Sequence, residues 1–311
     1  MSAKPLLTGL RVATREKRLA VALWLVNLGL AAAAALPAFL VLGDLLAHAP
    51  AGDRLLEGFS IGLVAEALHT DTRFRLLVPA AAASGVAALI ANAFTTGGVL
   101  DVLSTDDRRS FLHRFGRGAG HFAGRFFRMG IAAGITLLVP AALVMAGTKA
   151  LRKALADSPW PPTDVVIALG RLVLLLAIAV TALVALDLAR IRVVREDSRR
   201  AVRLYGSSLA LVLRHPLATL GLWSGNALVL ALVIAVYATF RNLVPATTWA
   251  GILLMLAAQQ AVMLARAGLR VALFAGEMTL VERLLPASPA PEPPRPAVLD
   301  SPESDPIASP S

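Results

Sequence analysis

The chain has 311 residues, 57% of them apolar and 16% charged, with a formal charge of +10 and no cysteine. A mean hydropathy of +0.70 excludes a pair of ordinary soluble domains and argues that lipid solvates most of the chain. The missing cysteines remove disulfides, thiolate metal centres, iron–sulfur clusters and a cysteine nucleophile, and no cofactor is expected.

The positive charge sits beside the ends of apolar runs, where the positive-inside rule and anionic headgroups account for it. Nucleic acid is therefore not an expected partner. Residues 1–18 carry Lys4, Arg11, Arg15, Lys17 and Arg18 against the single acid Glu16, and form a basic cytoplasmic N-terminus. Span one follows at residues 19–43, and about 24 residues at 1.5 Å each cross a core of about 30 Å. It is too long for the apolar part of a signal peptide and is read as an uncleaved span, with Pro37 near its outer end.

Residues 43–75 turn acidic, with Asp44, Asp53, Glu57, Glu66 and Asp71, and Pro50 to Asp53 is a turn signal. This is an outer loop, with a short surface helix expected over residues 58–68. His48 and His69 lack a third ligand at helical spacing, so no metal is expected.

Span two covers residues 76–103. Its inner half, Asn92 to Gly98, is small and polar, which suits close helix packing; a cavity or a hinge at Gly97-Gly98 is the functional alternative. No strand precedes these glycines and no Lys-Ser/Thr follows, so they are not a phosphate loop.

Residues 107–129 form the first connecting element. On a helical wheel Phe111, Phe115, Phe122, Phe126 and Met129 share one arc, and Arg114, Arg117, His121, Arg125 and Arg128 the neighbouring one. The pattern predicts an interfacial helix with phenylalanines in the acyl boundary and arginines on lipid phosphates. Its four glycines, Gly116, Gly118, Gly120 and Gly124, each weaken it by about 0.8 to 1 kcal/mol relative to alanine.

Span three is expected at residues 131–150, followed by a turn at 158–162 with Trp160 as an outer anchor. Span four covers 164–194, and Arg171 is near enough to its outer end to snorkel. The second connecting element, 196–215, sets Arg199, Arg200, Arg203 and Arg214 on one side and Ala201, Leu204, Tyr205, Ser208, Leu211 and Val212 on the other. Pro216 closes it and opens span five, residues 217–240. Span six, residues 249–274, starts at the anchor Trp249 and carries Gln259, Gln260 and Arg266. Residues 286–311 are rich in Pro, Ser and Ala without aromatics, and are read as a disordered cytoplasmic tail.

The fold class expected is all-α: a polytopic membrane bundle over residues 19–285, its six spans forming three hairpins with cytoplasmic amphipathic connecting helices. Lys and Arg cluster at the N-terminus, after span two and after span four, which places both termini in the cytoplasm. Each hairpin ends in a mixed polar segment, at residues 95–101, 187–196 and 266–277, a pattern compatible with a threefold repeat.

The polar residues expected inside the membrane domain are Asn92, Asp187, Arg190, Gln259, Gln260 and Arg266. Asp187 and Arg190, three apart, share a helix face, and Asp187 is expected to pair with Arg190 or Arg266, fastening span four to span six. Nothing resembles a nucleophile elbow, a paired-carboxylate hydrolase, a zinc helix or a Walker loop.

The segment ALDLARIRVVREDSRRAVRLYGSSLALVLRHP, residues 185–216, resembles the joint between the fourth and fifth helices of uncharacterised bacterial six-helix membrane proteins. These are similar in build to the membrane domain fused to some glycerophosphodiester phosphodiesterases. The resemblance implies a helical bundle in a bacterial inner membrane and brings no catalytic residue with it.

The expected function is non-enzymatic: an assembly partner or lipid-associated module. Its partners are anionic headgroups on the cytoplasmic face, met by Arg114, Arg117, Arg125, Arg128, Arg199, Arg200, Arg203 and Arg214, and a membrane protein or a second copy of the chain. The alternative is a transporter of small solutes or lipid, with Asn92, Thr95, Thr96, Asp187, Gln259, Gln260 and Arg266 along its route. A membrane-embedded enzyme acting on lipid is a third class. A continuous polar cavity reaching mid-bilayer favours transport, a dry Gly/Ala-packed bundle favours assembly, and two acidic or histidine side chains converging at headgroup depth favour the enzyme.

Overall fold

The computed structural model describes residues 4–48, 77–105, 110–155, 163–244 and 248–285. Among these, eight helices form and no strand: α1 (Lys4–Arg15), α2 (Lys17–His48), α3 (Leu77–Ser104), α4 (Phe111–Ala154), α5 (Thr163–Glu196), α6 (Ala201–Arg214), α7 (Pro216–Leu243) and α8 (Trp249–Leu284). All but α1 and α6 are long and apolar enough to cross a membrane. A helix satisfies its own backbone donors and acceptors, the condition for crossing hydrocarbon. Leu25, Phe39, Leu143, Leu172, Leu232 and Leu253 are exposed on the outer faces, a surface costly in water and ordinary in lipid.

The spanning helices close into a ring. α2 packs beside α3 and α8, α3 beside α4, α4 beside α5, α5 beside α7, and α7 beside α8. Leu19, Leu100, Phe126, Leu188, Val271 and Phe274, contributed by five of them, are buried in one apolar core.

Three features depart from the sequence expectation. The first connecting element and span three are one continuous helix, α4, in spite of its glycines. Phe122, Phe126 and Met129 are buried in the bundle and not set into an acyl boundary; tertiary packing of that stripe outweighs the propensity cost. Gly118 is required there, since a Cβ on it would lie 2.3 Å from the Asp101 Cβ. The N-terminal basic stretch is also a helix, α1, laid against α8 so closely that a Cβ on Gly9 would meet the Ala272 carbonyl oxygen at 2.1 Å. Finally, α8 continues past residue 274 to Leu284 and carries the buried Glu277.

Gly97 and Gly98 face α4, where an added Cβ would sit 2.7 Å from the Gly118 carbonyl oxygen and 2.8 Å from the Phe115 ring. The pair therefore serves close packing at this point. Arg117 bridges to Asp101 at 2.9 Å. Arg114 donates to the carbonyls of Val102 and Thr105, which are among the groups left open at a helix C-terminus.

Beside α4 and α5, α6 buries Ala201, Leu204, Tyr205, Ser208, Leu211 and Val212, and leaves Arg203 and Arg214 exposed. Tyr205 bonds the Thr136 hydroxyl of α4, and Arg192 of α5 donates to Ser207 at 2.7 Å. The outer turn at 50–53, the surface helix at 58–68, His69, the turn at 158–162 with Trp160, and the tail 286–311 lie outside the described residues.

Candidate functional site: a polar cavity inside the helix ring

The spanning helices line a partly open cavity of about 1160 Å³, to which all six contribute side chains. Asn92, Asp187, Arg190, Gln259, Gln260 and Arg266, dispersed over 174 residues of sequence in the membrane domain, all line it. Thr95 and Thr96 are not among the residues that line it; their hydroxyls bond back to their own helix, Thr95 Oγ1 donating to the Ala91 carbonyl at 2.8 Å and Thr96 Oγ1 to Asn92 Oδ1 at 3.3 Å.

One end of the cavity is charged. Arg190 Nη1 donates to Asp187 Oδ1 at 3.0 Å, and the guanidinium lies over the Phe126 ring, 5.7 Å from its centroid. Asp187 pairs with Arg190, three residues on along α5, while Arg266 makes no ion pair among the described residues, so this pair does not fasten span four to span six as expected. Arg270, one turn after Arg266, donates to Asn92 Oδ1 at 2.6 Å and covers the Phe274 ring. Glu277, only 2% exposed, lies within electrostatic reach of Asp187, Arg190 and Arg270. Members of two of the mixed polar segments thus meet, Asp187 and Arg190 of α5 with Arg270 and Glu277 of α8, and they are joined by Asn92 of α3, which lies just before the remaining segment.

Toward the middle of the helices the walls become apolar, with Ala31, Leu89, Leu137, Leu138 and Leu230. The amides persist on one side, where Trp24 Nε1 donates to Gln260 Oε1 at 3.0 Å. Counting from Trp249, Gln260 is about 16 Å and Arg270 about 32 Å along α8, so the polar floor and the mid-helix amides are separate levels of one space.

Several polar atoms in this region remain without a hydrogen-bond partner among the described residues: Arg190 Nε, Asn226 Oδ1 and Glu277 Oε2. An unsatisfied buried donor or acceptor costs about 1 to 3 kcal/mol, and such atoms beside a cavity mark where a further polar partner is accommodated.

Sequence reasoning missed Arg270, Glu277, Asn226, Asn27, Trp24 and Trp223. The signal for the first two was present: Arg266, Arg270 and Glu277 are spaced four and seven apart, one face of a helix. Ending span six at residue 274 put Glu277 outside it. Spacing of three puts Trp24 with Asn27 on one face of α2 and Trp223 with Asn226 on one face of α7, but no spacing rule would have brought the two pairs together, because they come from different helices.

The arginines expected to meet lipid phosphates divide. Arg114 and Arg117 hold the end of α3, and Arg125 Nη1 donates to Asp197 at 2.6 Å, a carboxylate that also contacts His121 at 3.2 Å. These hydrogen bonds, Arg125 first and then His121, hold the Asp197 carboxyl below its ordinary value. Arg128, Arg199, Arg200, Arg203 and Arg214 are exposed. Burial pushes the Tyr205 phenol up, against the opposing hydrogen bond to Thr136. Among the described residues no group of three His, Asp or Glu side chains could hold a metal ion.

Comparisons with protein-family models, with curated proteins and with solved structures find no match to this chain.

Proposed function

We propose that this chain is a non-enzymatic, multi-pass protein of the bacterial inner membrane that holds a lipid-like amphiphile in its intramembrane cavity, acting as a lipid-associated module. The observation that carries this reading is the cavity itself: a charged floor, apolar walls and a ring of lipid-solvated helices form the surroundings that suit a molecule with a polar head and a hydrocarbon body. A bundle serving only as an assembly scaffold has no use for so large an interior space. In this reading the six spans form three hairpins, both termini are cytoplasmic, and the exposed arginines of α6 and Arg128 of α4 lie along anionic headgroups.

Transport of lipid or a small solute is the second reading, favoured by Gln259 and Gln260 standing at mid-helix level in the same cavity.

Gly134 supplies the test. It lines the cavity, and a Cβ added to it meets nothing within 4 Å. Gly134→Trp therefore fills the space without a backbone clash. The purified full chain in mild detergent should retain lipid, measured by mass spectrometry of the extract, and Gly134→Trp should lose most of it while melting normally. Equal lipid content in the two proteins would refute the reading. Orientation is tested separately with a reporter active only outside the cell, which should work after Asp53 or Trp160 and be silent after Arg109 or Arg200.

A further inference from the structure

The charges of the cavity specify the head of its ligand, an inference that rests on the amphiphile reading above. Three guanidiniums, Arg190, Arg266 and Arg270, line the cavity together with the carboxylate of Asp187, and the buried Glu277 lies behind them within electrostatic reach of Asp187, Arg190 and Arg270. Even with both acids ionised, one positive charge is left over. Arginine does not lose its proton in proteins, so the surplus cannot be removed by titration.

The pairing identifies where the surplus lies. Asp187 is committed to Arg190 at 3.0 Å. The short bond from Arg270 goes to the neutral carboxamide oxygen of Asn92. Arg266 lines the cavity and has no ion pair among the described residues. An arginine facing the interior of a membrane bundle requires an anion or water. Arg266 and Arg270 are four residues apart, so their Cβ atoms stand about 6 Å from each other on one face of α8, close enough for both forks to close on one group.

A second observation points the same way. The Arg190 side chain is buried, with 5% of the residue exposed, it lines the cavity, and its Nε has no acceptor. Donors on α5 and on α8 thus approach from two helices. A carboxylate offers two oxygens in one plane and is satisfied by a single guanidinium fork, whereas the tetrahedral oxygens of a phosphate can be met from several directions.

We infer that the cavity is a binding site for an anionic phospholipid, its phosphate diester held by Arg266 and Arg270 with Arg190 behind them, and its acyl chains along the apolar walls of α2, α3 and α4. Asp187 keeps Arg190 in place, and Asp187 and Glu277 together, when both are ionised, limit the surplus charge of the floor to that of one monoanionic headgroup.

The test uses the full chain, stripped of lipid by detergent exchange and mixed with detergent-solubilised phosphatidylglycerol or phosphatidylcholine of matched acyl chains, with bound lipid read by native mass spectrometry. Phosphatidylglycerol should bind about tenfold more tightly than phosphatidylcholine, and Arg266→Gln should abolish that preference, the loss of one charge-assisted contact. Arg266 is exposed to the cavity and not packed in the core, and an unchanged melting curve for the variant verifies its fold. Arg266→Lys should restore part of the preference. Equal binding of the two lipids by the native chain, or a preference that survives Arg266→Gln, overturns the anionic assignment while leaving the amphiphile reading in force. If the native chain binds neither lipid, both fall. Oleate competing as well as phosphatidylglycerol would replace the phosphate by a carboxylate, and displacement by millimolar inorganic phosphate would make the ligand a soluble anion; either result refutes the phospholipid.

Discussion

Replacing Asp187 by asparagine preserves the size of the side chain and removes the charge that Arg190 faces. The guanidinium would keep its place, with only 7% of the side chain exposed, and lose a carboxylate at 3.0 Å. Removing one partner of a buried pair costs about 3 to 5 kcal/mol, because the remaining charge stays desolvated. The Asp187 side chain is 17% exposed and borders the cavity, so water can reach the gap and the lower end, about 3 kcal/mol, is expected. Arg190→Met alone strands Asp187 in the same way. The double variant removes both charges and should be less destabilised than the sum of the singles by about 1 to 3 kcal/mol. Unfolding of the purified protein in mixed micelles, followed by the fluorescence of Trp24 and Trp223 beside the cavity, reads all four corners of the cycle. A loss below about 0.5 kcal/mol for Asp187→Asn, or simple additivity in the double variant, would refute the reading that Asp187 and Arg190 are coupled as a buried pair.

The close approach of α3 and α4 makes Gly118→Ala destabilising by about 1 to 3 kcal/mol, as its Cβ meets that of Asp101; Gly116→Ala, two residues away with open space around it, should instead gain up to about 1 kcal/mol. Thermal melts of the two variants should move in opposite directions. Gly9→Ala should lift α1 from α8, since the new Cβ collides with the Ala272 carbonyl, and tryptic cleavage after Arg11 and Arg15 should accelerate without a change in overall melting. At the junction of Asp197 with Arg125 and His121, the carboxyl is held below its ordinary value, so its stabilising contribution is present above the unfolded value and is lost as the pH falls through the lowered one. Hydrogen exchange in residues 197–200 should therefore show excess opening only below about pH 4, after correction for the intrinsic rate; in Asp197→Asn the opening should be independent of pH over that window.

The sequence determined that the described residues are helical and include six stretches able to cross a membrane, because apolar length and backbone satisfaction are local properties. It also determined which face of residues 201–214 is apolar, since a wheel depends only on spacing within one helix. Asp187 and Arg190 were legible as neighbours for the same reason. The continuity of α4 was not legible: its glycines argue for a break by propensity, and only the burial of Phe122, Phe126 and Met129 against other helices outweighs them. The docking of α1 was hidden too, because the partners of Gly9 lie some 260 residues further along the chain.

The cavity belongs wholly to the tertiary structure. Each of Asn92, Arg266 and Gln260 is by itself a polar residue in an apolar run, and a helical wheel cannot say whether such residues face each other, a neighbouring helix or an interior space. Their convergence is set by how α2, α3, α5 and α8 pack around one another, and Glu277 shows the consequence: in the sequence it only closes a mixed polar segment beyond span six, and in the bundle it is 2% exposed. Helices are specified by neighbours in the chain, whereas a site between helices is specified by neighbours in space.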